Sequence, residues 1–200
     1  MPAPYLAPVL RPDHRYFLLH KPYGYLSQFV TNQTKRRNQR LLGELGDFPP
    51  GTMSVGRLDK DSEGLLLLTT DGKFSAAVTG RGYEKEYYVQ LDGIPTPEAL
   101  DKLREGVDIS VNGRPHRTLP ARVELLPDRP DFPPRSRPVR DDRHGPTRWA
   151  SITIREGKFR QVRKMTAAVG FPTLRLVRVR VGEWRLGELG SGEWEVLMNS

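Results

Sequence analysis

Leu65-Leu66-Leu67-Leu68 constrains this chain more than any other stretch. The run shows no polar side to water and is too short for a typical helix. It reads as a strand buried on both faces, in the middle of a sheet. The residues just before it are opposite in character. Asp59, Asp61 and Glu63 fall close together, bracketed by Gly56 and Gly64. An acidic loop is thus held by a rigid core strand, which is how functional sites are usually positioned.

Three general readings of that loop can be compared. An aspartate in a glycine-bounded loop often bonds its own backbone in a turn, and this reading stays open for each acid taken singly. A calcium loop matches Asp59, Asp61, Glu63 and Gly64 but fails in its second half. There the twelfth position is Thr70 instead of a bidentate glutamate, and leucines fill the positions between. A phosphate loop fails because no Gly-x-x-x-x-Gly-Lys-Ser/Thr is present.

Two hundred residues suit one domain, or two small lobes sharing a core. There is no cysteine, which excludes disulfides, thiolate metal sites and a cysteine nucleophile. No apolar run is long enough to span a bilayer, and the N-terminus lacks the layout of a signal peptide. These features lead us to expect a cytoplasmic protein without a membrane partner. The formal net charge is +8, which favours a polyanionic partner. The cations gather in three segments, which argues against a basic surface kept for solubility alone.

Residues 1–14 hold Pro2, Pro4, Pro8 and Pro12 and read as an extended or disordered leader. Residues 15–200 read as a single domain. Tyr16 to His20 is a buried strand, Lys21-Pro22-Tyr23-Gly24 a turn, and Leu26 to Val30 a returning strand. The first basic segment, Thr31 to Arg40, carries Lys35, Arg36, Arg37 and Arg40 with no acid. It fits a solvated loop and a phosphate-contacting loop about equally. Lys73 to Val78 forms a helical turn. Tyr83 to Asp92 alternates as a strand, with Lys85, Tyr87, Val89 and Leu91 on one face. Thr96-Pro97-Glu98 opens a helix that ends at Gly106. Asn112-Gly113 marks a hairpin, and Ala121 to Leu126 another strand.

Asp128 to Arg148 is the second basic segment, with six arginines and five prolines and no hydrophobic period. A loop of this length is either functional or disordered, and the two readings weigh evenly; being arginine-rich, it is expected to be a mobile loop that a polyanion can order. Trp149 to Arg155 is a strand. Lys158 to Val169 reads as a helix with the apolar stripe Phe159, Val162, Met165 and Val169. Arg163 borders the stripe while Arg160 and Lys164 lie further out, forming the third basic segment. A solvated charged face with Arg163 snorkelling is the plain alternative. In Leu174 to Val181, Arg178 and Arg180 share a sheet face and need an anionic partner. Strands around Trp184 to Leu186 and Glu193 to Leu197 complete an α+β pattern with a mixed or antiparallel sheet.

Gly56-Arg57-Leu58-Asp59, with Ser62-Glu63-Gly64-Leu65 and Thr70-Asp71-Gly72, resembles the catalytic motif of the RsuA-type ribosomal RNA pseudouridine synthases. Lys85-Glu86-Tyr87 resembles the family's second motif, and Gly157 to Met165 its third. The likeness runs from about Tyr16 to Leu197. It is strongest to the compact RluE branch, which lacks the small S4 domain and acts on large-subunit RNA.

The resemblance implies the pseudouridine synthase fold: a bent central sheet in two lobes with flanking helices. It implies isomerisation of a uridine in ribosomal RNA, most simply 23S, by a monomer with no cofactor and no metal. Asp59 is then the nucleophile, Tyr87 stacks on the base or acts as general base, and Arg163 pairs with Asp59. Charge and resemblance together nominate Arg36, Arg37, Arg57, Lys85, Arg160, Lys164, Arg178 and Arg180 for RNA contact. Two alternatives keep the residues but change the function. One is a non-catalytic RNA-binding or ribosome-associated protein; the other is a metal-dependent nuclease using Asp59, Asp61 and Glu63.

Overall fold

The structure, a computed structural model, describes residues 8–30, 39–80, 82–140 and 144–197. The first basic segment, with Arg36 and Arg37, lies largely outside the described residues. The chain divides into two compact units. Met1–Tyr83 with Arg178–Ser200 form unit 1, and Glu84–Val177 form unit 2.

Unit 1 begins with β1 (Tyr16–Lys21), β2 (Tyr25–Leu26), β3 (Arg40–Leu41), β4 (Met53–Ser54) and β5 (Glu63–Thr69), followed by α1 (Gly72–Gly80). Every residue of β1 and β5 is buried, as the leucine run requires. The two strands pair antiparallel from Tyr16 opposite Thr69 to Lys21 opposite Gly64. Both faces of β1 meet aromatic rings. Phe17 packs edge-on against Phe48 and Trp194 at 5.4 and 5.5 Å, while its neighbour Tyr16 meets Phe74 at 4.9 Å. Burying each of Leu65 to Leu68 contributes roughly 1.5–3 kcal/mol, so this strand fixes whatever is attached to its start.

The returning strand expected over Leu26 to Val30 is much shorter. Strand pairing stops at Leu26, because the Ser27 hydroxyl and carbonyl are committed to the segment before Asp59. The described part of the leader, residues 8–14, is anchored. Arg11 grips the Asp71 carboxylate with both Nε, at 2.8 Å, and an NH2 group. Tyr16 donates its hydroxyl to the same carboxylate at 2.9 Å. Asp71 in turn accepts from the backbone of Lys73 and Phe74, at 2.8 and 3.1 Å, and so caps α1.

Unit 2 contains β6 (Lys85–Asp92), α2 (Pro97–Glu105), β7 (Asp108–Val111), β8 (Arg114–Arg117), β9 (Arg122–Leu125), β10 (Thr147–Ile154) and α3 (Gln161–Ala168). In β6, Tyr87, Val89 and Leu91 are buried while the residues between them are half-buried, so the alternation read from the sequence holds. β10 pairs antiparallel with β6 on one side and β9 on the other. Thr96 caps α2 by accepting from the Ala99 N–H, and Gly106 ends it at φ +99°. Asn112 and Gly113 both adopt positive φ in the β7–β8 turn, as a two-residue hairpin needs.

α3 starts later than the sequence pattern suggests. Arg160 sits in the left-handed region at φ 53°, so Lys158, Phe159 and Arg160 precede the helix. Phe159 is 60% exposed and does not belong to the buried stripe, which is Gln161, Val162, Met165 and Thr166. Gln161 belongs inside because its side chain accepts from the Lys158 N–H at 3.0 Å and donates to Glu156 at 2.7 Å.

β11 (Thr173–Val181) begins in unit 2 and ends in unit 1, where β12 (Trp184–Arg185) and β13 (Trp194–Val196) follow. Neighbours in unit 1 run β13, β1, β5, β11, with β4 on β5 and β12 on β11; in unit 2 they run β11, β6, β10, β9. β2 and β3 pair parallel, whereas β1 pairs antiparallel with both of its neighbours, so the class is α+β with mixed strand pairing.

Candidate active site

Asp59 is half-buried on the loop that enters β5. Its backbone carbonyl accepts from the Ser62 N–H at 3.0 Å, which folds the acidic segment into a tight turn. Two further contacts hold the turn. The Lys60 carbonyl accepts from the Gly24 N–H at 2.8 Å, tying it to the Pro22–Gly24 bend. Ser27 Oγ donates to the Leu58 carbonyl at 2.8 Å and accepts from the Leu58 N–H at 3.0 Å. One serine thus satisfies both backbone groups of the residue preceding Asp59.

The three carboxylates do not share one environment. Asp59 and Asp61 are half-buried on the loop, while Glu63 is the first residue of β5 and 2% exposed. Among the described residues no three carboxylate or imidazole side chains are grouped to hold a metal ion. The next residue, Gly64, has φ +102°, and a Cβ there would collide with the backbone carbonyl of Arg178 and come within 2.6 Å of its nitrogen. Glycine is therefore required where β5 meets β11.

Lys21 is fully buried at the end of β1. Its ammonium donates to the carbonyls of Pro22 and Tyr25, each at 2.8 Å. Burial pushes its pKa down to about 7, against the opposing pull of Glu63, Asp61 and Asp59, in that order. The acidic turn therefore sits over a buried cation of the same unit. Sequence reasoning placed Lys21 in a turn and gave Ser27 no role. Only the position of Lys21 directly after a strand read as buried hinted at its burial, and nothing marked Ser27.

Unit 2 carries the other nominated residues. Tyr87 is 8% exposed and lies opposite Ile152 of β10; Lys85, opposite Ile154, is half-buried. Arg163 is half-buried on α3, with an NH1 hydrogen bond to the Thr173 carbonyl at 3.4 Å. Lys164 donates to the Ser110 carbonyl at 2.7 Å and lies 5.2 Å from the Phe159 ring centre. Arg57 is exposed in unit 1, and Arg180 donates to the Gly182 carbonyl at 2.8 Å.

Arg178 departs from its expected role in RNA contact. It is 4% exposed, and its Nε donates to the Leu65 carbonyl at 2.8 Å, so it lacks the exposure a phosphate contact needs. Arg175 was not singled out from sequence. It is also buried, donates to the Pro133 carbonyl at 2.8 Å and stacks over Phe132 at 5.6 Å.

No helix among the described residues is long and apolar enough to cross a membrane. The sequence profile of the RNA pseudouridylate synthases matches residues 15–168. Among curated relatives, a ribosomal large subunit pseudouridine synthase E of Xanthomonas axonopodis pv. citri is 48% identical over 174 residues, covering 86% of this chain and 88% of its own. The protein of the same name from Vibrio parahaemolyticus is 43% identical over 187 residues, covering 92% and 74%. A solved pseudouridylate synthase superposes with a TM-score of 0.73 at 30% identity, covering 93% of this chain and 71% of that one. With the motif turn formed around Asp59 and the profile spanning most of the sequence, this chain belongs to the RNA pseudouridine synthase family of isomerases.

Proposed function

We propose that this protein converts one uridine of large-subunit ribosomal RNA to pseudouridine, with Asp59 as the nucleophile. The observation that carries this reading is the Gly56-Arg57-Leu58-Asp59 turn, held on a fully buried strand in a chain 48% identical to a large-subunit enzyme. In the reaction the N1–C1′ bond breaks, the uracil turns, and C5 bonds to C1′. The proton lost from C5 is balanced by one gained at N1. Nothing is oxidised or added, so the chemistry calls for no cofactor. A carboxylate suits the nucleophile's part because it can attack and then leave.

The target base must leave its stack before Asp59 can act on it. Tyr87, an aromatic ring held on β6, serves to stack on that base or to remove its proton. Arg163 pairs with Asp59 and keeps it ionised, the role a neighbouring guanidinium plays for a partly buried carboxylate. Arg36, Arg37, Arg57, Lys85, Arg160, Lys164 and Arg180 contribute positive charge for phosphates. Within this reading the protein acts as a cytoplasmic monomer on 23S RNA, and residues 15–200 work as one catalytic domain. The test is to map pseudouridine in ribosomal RNA from cells lacking the protein. Loss of modification at one large-subunit uridine is expected; an unchanged pseudouridine map would refute the proposal.

A further inference from the structure

Unit 2 contains a cavity of about 430 Å³ that the catalytic residues do not use. It lies under the arginine-rich segment, whose described residues 126–140 form neither helix nor strand. Gln90 of β6 and Thr147 and Trp149 of β10 line its floor. Trp149 is the register partner of Gln90, so their side chains share a sheet face. Tyr87 is odd-numbered on β6 and lies on the other face. The cavity therefore opens on the face of the unit 2 sheet opposite the one that carries Tyr87.

The lining is rich in cations and donors. Arg129, Arg135, Arg140, Arg148 and Arg175 all border it, against one carboxylate, Asp128. Arg140 is already paired with Asp92, and Arg175 with the Pro133 carbonyl and the Phe132 ring. The Arg129 side chain makes no ion pair or hydrogen bond among the described residues, while Arg148, between Thr147 and Trp149 on β10, sends its side chain to the other sheet face. Trp149 is 5% exposed, and its indole N–H is buried with no hydrogen-bond partner. A buried donor without an acceptor costs on the order of 1–3 kcal/mol. An uncommitted guanidinium and an orphaned donor at one cavity call for an anionic ligand with acceptor oxygens. The cavity's volume falls within the range of small-ligand sites, and Trp149 in its lining offers an aromatic surface for a base.

The geometry points to a second nucleic-acid subsite. The cavity takes a phosphate-bearing nucleotide unit, with Arg129 on the phosphate and the Trp149 N–H donating to it or to the base. This rests on the reading that the protein binds RNA, and it adds that RNA is held on a face of unit 2 other than the one carrying Tyr87. Residues of this subsite act on binding and leave turnover alone.

The test uses the full chain with 15N-labelled tryptophan, the Trp149 indole resonance being assigned by Trp149→Phe. Uridine 5′-monophosphate and a single-stranded uridine-containing RNA 12-mer are titrated separately. The Trp149 resonance is expected to move with the RNA. Movement with the mononucleotide as well identifies a free nucleotide as sufficient, and movement with RNA alone identifies an internucleotide phosphate. No movement with either overturns the inference. In parallel, the Arg129→Ala variant should bind RNA with a salt slope shallower by about 0.7, or about 5-fold more weakly near 0.1 M salt, at about 0.7 per phosphate contact on single strands. Its kcat at saturating RNA should match the parent's. Unchanged affinity and slope, or a loss of kcat at saturation, would overturn the subsite. Failure of the parent protein to form pseudouridine is a separate result that bears on the proposed function alone.

Discussion

Replacing Lys21 by methionine should flatten a specific part of the stability–pH curve. Lys21 is fully buried, and its pKa is pushed from 10.5 down to about 7. Below pH 7 both the folded and the unfolded chain hold the proton, so stability does not change with pH through this group. Between pH 7 and 10.5 the unfolded chain holds a proton that the folded chain has released, so folding becomes more favourable as pH rises. The full window corresponds to on the order of 5 kcal/mol, at about 1.4 kcal/mol per tenfold change in proton affinity. The part between pH 7 and 9.5 corresponds to about 3 kcal/mol. Methionine keeps the side-chain length and carries no charge. It also leaves the Pro22 and Tyr25 carbonyls without this donor, which costs stability at every pH. The diagnostic is therefore the difference between parent and variant, measured by urea unfolding with the fluorescence of Trp184 and Trp194 as the signal for unit 1. The parent should gain on the variant by about 3 kcal/mol from pH 7 to 9.5. Parallel curves for the two proteins across that range would refute the buried, titrating ammonium.

Gly64→Ala should destabilise by about 3 kcal/mol or more in urea unfolding, since it adds a clash with the Arg178 backbone to a positive φ. Ser27→Ala should cost about 1–3 kcal/mol and lower kcat more than it changes RNA affinity, because both hydrogen bonds of the Ser27 hydroxyl hold the residue before Asp59. Arg11→Ala should flatten the acid limb of the stability–pH curve. The Arg11 guanidinium holds the Asp71 carboxyl below the usual carboxylate range. The resulting stability is present above the ordinary aspartate pKa and is lost as pH falls, so the variant should be less stable at neutral pH and gain less from it over acid pH, as acid titration by circular dichroism will measure.

Elements governed by local chemistry were legible before the structure. The leucine run specified β5, alternation placed Tyr87 on the buried face of β6, and Thr96-Pro97 and Asn112-Gly113 marked a helix start and a hairpin. The failures come from contacts distant in sequence. Ser27 leaves the strand pattern because it bonds Leu58, 31 residues on. Phe159 has the right helical spacing, but the left-handed Arg160 separates it from α3. Arg178 reads as a cation in an alternating strand that needs an anionic partner, yet its Nε serves the Leu65 carbonyl, 113 residues away. The Asp59 turn was legible from its glycines and its following strand. The buried Lys21 beneath it was not, because a lysine's burial is decided by partners that its own neighbourhood does not reveal.

The sharpest test of covalent chemistry at Asp59 is Asp59→Asn. The amide is nearly isosteric and keeps an acceptor oxygen, but it is essentially inert as a nucleophile. Parent and variant should be incubated with unmodified large-subunit ribosomal RNA and the pseudouridine formed measured under single-turnover conditions. The variant should fold, bind the RNA with an affinity close to the parent's, and form no detectable pseudouridine, while Asp61→Asn retains turnover. Near-normal turnover by Asp59→Asn would rule out a nucleophilic Asp59.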